Sequence, residues 1–154
     1  MYSIEQLIKQ TKFKDEKHKA IVSVIYTSNL LANFHEDFFA RFGITTQQFN
    51  ALRILRGQFP NPSKVSLIRE RMLDKMSDTS RIVERLRKAG FVQRVVSPKD
   101  RRSVDVLITP KGMGVLLEIE KNEKDLFKPT SKFTDAEAVQ LSALMEKLLN
   151  GILK

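Results

Sequence analysis

Apolar residues near the start of the chain follow a helical spacing. Between about Phe13 and Phe42 they recur roughly every three or four positions, and neither Pro nor Gly interrupts the run before Gly43. This periodicity predicts one helix of roughly 30 residues, preceded by a short helix over Ser3–Gln10. Such a helix is longer than a compact domain of this size normally uses, so we expect part of it to pack against a partner subunit.

The next segments combine helix-capping residues with apolar positions. The run Thr45–Gln48 has the form of a capping box, and it precedes Phe49, Leu52 and Leu55 at helical spacing. We therefore predict a second major helix there. The following segment, Gln58–Lys64, contains two prolines together with Asn and Ser, which is typical of a loop.

Two further helices are predicted after this loop. Ser63–Val65 is a candidate minimal strand, and Ser66–Met72 a short helix with its serine as the N-cap. The turn Leu73–Met76 then leads to a helix over Ser77–Ala89, closed by Gly90.

The second of these helices is predicted to bury one face. Four residues recur along it at three- and four-residue spacing, namely Thr79, Ile82, Val83 and Leu86. The helix start stays open by a few residues, because Asp74 and Ser77 are both good N-caps.

A charged hairpin is predicted next. The runs Phe91–Val96 and Val104–Ile108 have strand character, and they flank the turn Ser97–Ser103. Two helices joined by a tight turn and followed by a basic hairpin suit duplex DNA. In that arrangement the second helix lies in the major groove and the hairpin reaches the adjoining minor groove.

The C-terminal third is predicted to be helical. Thr109 and Pro110 supply an N-cap and a proline at the first helical position, and this helix is expected to continue to Phe127, before Pro129. A second capping box, Thr134–Glu137, opens the last helix. That helix carries enough apolar residues to be half exposed on a monomer, which favours a homodimer.

Positive charge is concentrated in the helix-turn-helix and hairpin. Residues 64–102 carry twelve Lys and Arg against five Asp and Glu, a net +7 out of +9 for the whole chain. Residues 111–154 carry seven of each sign. This distribution indicates a polyanionic partner. The alternative is a solvated basic face with no partner.

These features together resemble the MarR family of bacterial transcription regulators. The family pattern is a recognition helix ending in Arg-Leu-x-x-x-Gly-hydrophobic-Val, a wing tip with Asp-x-Arg, and Thr-x-x-Gly at the next helix. The corresponding residues here are, in order, Arg85 to Val92, Asp100 to Arg102 and Thr109 to Gly112. The resemblance covers nearly the whole chain. It departs at Lys75, Met76 and Asp78, where relatives usually carry small polar residues, so the base preference cannot be carried over.

The resemblance implies a mainly α fold with a small β-wing. It implies a single domain over 1–154, with a winged helix-turn-helix lobe at about 45–109 and dimerisation helices at about 1–42 and 110–154. The implied function is a homodimeric transcription regulator, a repressor, that binds pseudo-palindromic double-stranded DNA and responds to a small aromatic or anionic effector. Phe34 and Phe38 are candidate walls of the effector pocket, and ordinary core packing is the alternative for them.

The predicted DNA contacts come from the recognition helix and the wing. Four residues are expected at base edges, two near phosphate and four in the wing: Ser77, Asp78, Ser80 and Arg81; Arg85 and Lys88; and Lys99, Asp100, Arg101 and Arg102. Within the wing, the resemblance makes Arg102 the residue inserted in the minor groove and Arg101 a backbone contact. We expect Asp100 to brace an arginine.

Other function classes find little support in the sequence. There is no cysteine, so disulfides, thiolate metal sites and thiol redox switches are excluded. His18 and His35 are too far apart in the long helix to form a chelating pair, and no phosphate loop or nucleophile motif is present. We therefore expect no enzyme activity, no cofactor and no metal. Without an apolar signal core or a membrane-length segment, the expected location is the cytoplasm. Two alternatives stay open, namely a winged-helix module that docks a protein and a DNA-binding regulator without an effector.

Overall fold

A computed structural model describes residues 2–96 and 104–153, and these form two compact units divided between Lys121 and Asn122. The first unit holds α1 (Ile4–Ile8), α2 (Glu16–Ala40), α3 (Thr46–Arg56), α4 (Val65–Arg71), α5 (Thr79–Lys88), β1 (Val92–Val96), β2 (Val104–Ile108) and α6 (Pro110–Lys121). The second holds α7 (Glu123–Leu126), a 3₁₀ helix (Lys128–Thr130) and α8 (Asp135–Ile152). The predicted fold class, mainly helical with a small β-wing, is confirmed.

Helix α3 lies at the centre of the first unit. It contacts α2, α4, α5, α6 and β2. The predicted capping box is present, since the Thr45 hydroxyl accepts the Gln48 N–H and the Gln48 side chain accepts the Thr45 N–H. Ala51 and Leu52 are completely buried and Leu55 nearly so. A helix started by its own capping residues thus provides the apolar surface on which the other elements pack.

Helix α2 is shorter than the sequence predicts. The Asp15 carboxylate accepts the His18 N–H at 2.8 Å, so the helix begins at Glu16 and the residues before it are outside. It ends before Gly43, which has a positive φ of 69°. Only Phe38 and Phe39 are buried along its 25 residues.

The aromatic residues at the end of α2 form part of the core. Phe38 lies edge-on to Phe39, with ring centroids 5.1 Å apart, and Phe39 stacks on Phe49 of α3 at 4.3 Å. Earlier in α2, Ile21, Ile25, Leu30 and Leu31 are 40–57% exposed. Only the C-terminal end of α2 is therefore anchored in the apolar core of this unit.

The start of α4 corrects one prediction. Lys64 is the N-cap, with no side-chain capping bond, so Ser66 lies inside the helix and its assignment as N-cap was wrong. The physical reason is a long-range pairing, because Ser63 exchanges two backbone hydrogen bonds with Val106 of β2, at 2.9 and 2.8 Å. The chain leaves this bridge and enters the helix immediately. Of the predicted minimal strand Ser63–Val65, only Ser63 forms a bridge, and Val65 already belongs to α4.

The two strands form the predicted antiparallel hairpin. Val92 pairs with Ile108 at one end of the hairpin, and Val96 pairs with Val104 at the other end of the described strands. The predicted wing turn, Ser97–Ser103, lies outside the described residues.

Helix α6 begins as predicted and ends early. Thr109 caps it, with the hydroxyl accepting the Gly112 N–H at 3.1 Å. The predicted continuation to Phe127 was wrong, because α6 ends at Lys121 and a separate short helix follows Asn122. Asn is a poor residue for a helix interior, since its side chain competes for nearby backbone groups.

The second unit has little apolar burial of its own. The predicted capping box at Thr134 and Glu137 opens α8. No residue of α8 is buried, and Val139 and Ile152 are 69% and 70% exposed. Among the residues described, no helix combines the length and the apolar character needed to cross a membrane.

Two glycines of α6 provide a test of close packing. An added Cβ at Gly112 would overlap the Phe91 carbonyl oxygen and come within 2.8 Å of the Ile108 side chain, whereas one at Gly114 would meet nothing within 4 Å. We expect Gly112→Ala to lower the free energy of unfolding by about 1–3 kcal/mol or more. Gly114→Ala should raise it by about 0.5–1 kcal/mol, because alanine is the better helix former. Urea unfolding measures both changes, and equal effects at the two positions would contradict this packing.

Candidate nucleic-acid interface

Helices α4 and α5 and the turn between them form the predicted helix-turn-helix. The two helices contact each other, and both contact α3. The buried face of α5 comprises Thr79, Val83 and Leu86, each at most 1% exposed. Ile82, predicted to belong to this face, is only half-buried. This packing leaves the opposite side of α5 on the surface.

Side-chain hydrogen bonds hold the turn before α5. The Leu73 N–H donates to Oδ1 of Asn50 on α3 at 2.8 Å. The Asp74 carboxylate accepts the Met76 N–H at 3.0 Å and the Ser77 hydroxyl at 2.7 Å. The hydrogen bond from Ser77 is the main cause that lowers the pKa of Asp74, because it stabilises the ionised form. The turn is therefore fixed both to α3 and within itself.

The recognition helix starts later than the sequence predicts. Asp78 is its N-cap, accepting the Arg81 N–H at 3.1 Å, and the helix begins at Thr79. Asp74 and Ser77, the two residues proposed as caps, bond to each other instead. Ser77 consequently precedes the helix and is half-buried, and the predicted helix start at Ser77 was wrong.

Four predicted contact residues lie on the exposed sides of α5. Ser80, Arg81, Arg85 and Lys88 are all exposed. Asp78 is exposed as well, although its carboxylate bonds to the helix N-terminus. The structure thus brings together, on one surface, the exposed hydroxyl and the cations that the sequence proposed.

An open cleft separates the start of α3 from α5. It has a volume of about 320 Å³ and is lined by Thr45, Gln47, Gln48, Asp74, Ser77, Asp78, Arg81, Ile82 and Arg85. Its walls hold amide groups, hydroxyls, carboxylates and guanidinium groups. Base edges in the major groove present both donors and acceptors, and this mixture can pair with both.

One ion-pair cluster joins the recognition helix to the wing. Glu84 of α5 contacts Arg87 at 2.8 Å and Arg94 of β1 at 3.3 Å. The hydrogen bond from Arg87 is the main cause that lowers the pKa of Glu84. Sequence reasoning missed this cluster, because a pair between a helix and a following strand leaves no periodic signal.

The C-terminal end of α5 is held by residues that open α6. Lys111 Nζ donates to the Ala89 carbonyl at 2.7 Å and lies 5.0 Å from the centre of the Phe91 ring. The Thr109 hydroxyl lies 2.8 Å from the Gly90 carbonyl oxygen. The role of Lys111 was also missed, and its only sequence signal is its place inside the Thr-x-x-Gly motif.

The remaining predicted site residues separate into two groups. Lys99, Asp100, Arg101 and Arg102, predicted for the wing, lie outside the described residues. Of the candidate effector-pocket walls, Phe38 is 4% exposed and packed in the core, while Phe34 is half-buried beside His35. Burial lowers the pKa of His35. Across residues 2–96 and 104–153, no cluster of three or more metal-ligating side chains occurs.

A family profile and a curated relative both point to one family of regulators. The MarR family profile matches residues 42–103. The chain is 31% identical over 106 residues to the uncharacterised HTH-type transcriptional regulator YpoP of Bacillus subtilis (strain 168), an alignment that covers 68% of this chain and 74% of the relative.

Two solved structures share the fold. One is a mutant of MarR from E. coli in complex with operator DNA, with a TM-score of 0.74 and 20% identity, covering 90% of this chain and 99% of that one. The other is the organohalide-sensing transcriptional regulator RdhR in its 2,4-dichlorophenol-bound form, with a TM-score of 0.76 and 18% identity, covering 92% of this chain and 86% of that one.

The cap of the recognition helix can be tested by substitution. Asp78→Ala removes the acceptor for the Arg81 N–H, and we expect it to lower the free energy of unfolding by about 0.5–2 kcal/mol. Asp78→Asn retains a capping oxygen and should stay close to the native value. Urea unfolding without DNA makes the comparison. If the Ala and Asn variants lose the same stability, Asp78 does not act as a cap.

Proposed function

Since this chain belongs to the MarR family of transcription regulators, we propose that it acts as a homodimeric repressor on pseudo-palindromic operator DNA. Each subunit contributes one helix-turn-helix and one wing. The relatives identified by comparison are transcription regulators, and we propose no enzymatic role. The proposed place of action is the cytoplasm, where a bacterial regulator of this family would meet DNA.

One observation carries this proposal, namely the exposed polar and basic surface of α5. Its inner face is locked into the core by Val83 and Leu86, while Ser80, Arg81 and Arg85 face outward. An α-helix of this kind fits the major groove of B-DNA. The net charge of +7 over residues 64–102 supplies the attraction to phosphates.

The proposed contacts keep the division made from the sequence. Ser77, Ser80 and Arg81 are assigned to base edges, Arg85 and Lys88 to phosphate, and Lys99, Arg101 and Arg102 to the wing. Asp78 is also assigned to base edges. Since its Oδ1 accepts the Arg81 N–H as the helix cap, the proposed base contact uses its other carboxylate oxygen. In the wing, we propose that Arg102 enters the minor groove and that Asp100 braces an arginine.

The proposed dimer accounts for two unpartnered apolar surfaces. Helix α8 has no buried residue, and the first half of α2 exposes Ile21 and Ile25 at 42% and 57%. Covering such surface with a second copy removes apolar area from water. Two recognition helices in one dimer would then read half-sites about 34 Å apart, one turn of B-DNA.

An effector forms the second part of the proposal. The related structure with bound 2,4-dichlorophenol motivates a small aromatic ligand. We assign Phe34 to the wall of such a site, because its ring is half-buried, whereas the Phe38 ring is enclosed by the core. A regulator without any effector is the alternative, as is a winged helix that docks a protein instead of DNA.

The salt dependence of DNA binding tests the function. If the dimer neutralises roughly 6–10 phosphates, its affinity for duplex DNA should fall about 10³–10⁵-fold between 50 and 200 mM salt. Arg85→Gln removes one phosphate contact in each subunit of the dimer, so it should reduce the slope of log affinity against log salt by about 2. Lys132→Gln, an exposed cation in the charge-neutral part of the chain, is the matched control and should leave the slope unchanged.

Sedimentation of the same samples should show a dimer at micromolar concentration. A clean monomer that binds DNA tightly would overturn the dimeric arrangement. A salt-independent affinity, or no binding to duplex at low salt, would favour the protein-docking alternative.

Effector binding is tested by DNA release. Salicylate or 2,4-dichlorophenol should weaken operator binding, and Phe34→Ala should abolish this release while DNA binding without ligand persists. Phe38→Ala should instead lower the free energy of unfolding by about 3–5 kcal/mol, as expected for a core phenylalanine. Unchanged operator affinity and unchanged melting temperature across a panel of aromatic acids and phenols would support a regulator without an effector.

A further inference from the structure

The turn between α4 and α5 exposes two large apolar side chains. Leu73 is 86% exposed and Met76 is 93% exposed. A single exposed apolar residue needs no explanation. Here, however, the two lie within four residues, on the lobe that carries most of the positive charge of the chain. The turn that carries them leads into the helix assigned to the major groove.

The backbone that carries Met76 is held in place. Its N–H donates to Asp74, and Asp74 is itself bonded to Ser77. At the other end of the turn, Leu73 is bonded to Asn50 of α3. Lys75 Nζ adds a bond to the Glu70 carbonyl at 2.5 Å. The Met76 side chain therefore projects from an ordered turn, and binding a partner there requires little ordering of the backbone.

The surroundings of Met76 indicate what covers it. Asp78, two residues later, caps the recognition helix, and the exposed Arg81 lies in the first turn of that helix. An exposed apolar side chain in the turn that leads into a helix with exposed cations suits a helix that enters a major groove. In that groove, the C5-methyl group of thymine is the apolar group that base edges present.

We propose that Met76 is a specificity-determining residue that packs against the C5-methyl group of a thymine in each half-site. Methionine suits this role, because its unbranched thioether adapts to the shape of a partner surface. Leu73 follows the C-cap of α4 and lies five residues before Asp78, so the contact is assigned to Met76. The inference rests on the proposed function, since it requires that α5 enters the major groove.

The test uses a duplex selected from a random library with the full-length protein. Each thymine of that duplex is replaced in turn by deoxyuridine, which lacks only the C5-methyl group. At one thymine per half-site, the native protein should bind about fourfold more weakly per lost methyl contact. For Met76→Gln the same replacement should have no effect. For Leu73→Gln, the matched control in the same turn, the loss should persist.

Each outcome bears on a separate claim. The role of Met76 is overturned if replacing thymine by deoxyuridine weakens binding equally for the native protein and for Met76→Gln. It is also overturned if the replacement has no effect at any thymine. In both cases, binding that is still sequence-specific leaves the proposed function intact. If the weaker binding to the deoxyuridine duplex disappears in Leu73→Gln and persists in Met76→Gln, the contact belongs to Leu73 and the proposal is overturned. No preference of the native protein for the selected duplex over random duplex overturns the proposed function itself. The melting temperature of Met76→Gln should equal that of the native protein, because the side chain is almost fully exposed.

Discussion

Helix α3 joins the packing of the first unit to the position of α5 and of the turn that precedes it. Ala51 and Leu52 are completely buried among the elements that surround α3, and the adjacent Asn50 holds the turn before the recognition helix. One short stretch of α3 therefore fixes both the position of α5 and the conformation of the segment that leads into it. Protein interiors are packed densely, so a shift of α3 cannot be absorbed by its neighbours without moving the turn.

The parts of the fold that depend on local chemistry could be predicted from the sequence. The capping boxes at Thr45 and Thr134 involve residues three positions apart, and both helices begin where those residues place them. Ser66 failed as a cap because the chain geometry there is set by a bridge from Ser63 to Val106, a residue far along the sequence. Asp78 was missed as the cap because Asp74, Ser77 and Asp78 all carry side-chain acceptors, and only the folded turn decides which of them caps the helix.

In the candidate site, too, the sequence predicts some features and misses others. Helical periodicity alone places Arg81 and Arg85 on the exposed sides of α5. The charge count of residues 64–102 also includes Arg87, yet Arg87 is paired with Glu84, which in turn contacts Arg94 of β1. The formal charge of this lobe therefore overstates the number of cations that are available to phosphates. Exposed ion pairs contribute little stability, so this cluster matters more for orienting the wing strand against the recognition helix.

The start of α6 gives the recognition helix a second point of attachment. Lys111 and Thr109 bond to carbonyl groups at the end of α5, and Gly112 permits backbone contact that no larger residue could make. A lysine ammonium at the C-terminus of a helix is favourable, because the carbonyl groups there carry partial negative charge. Helix α5 is thus held through the turn at its N-terminus by α3 and at its C-terminus by α6. Any displacement of α6 must then either break these contacts or carry α5 with it.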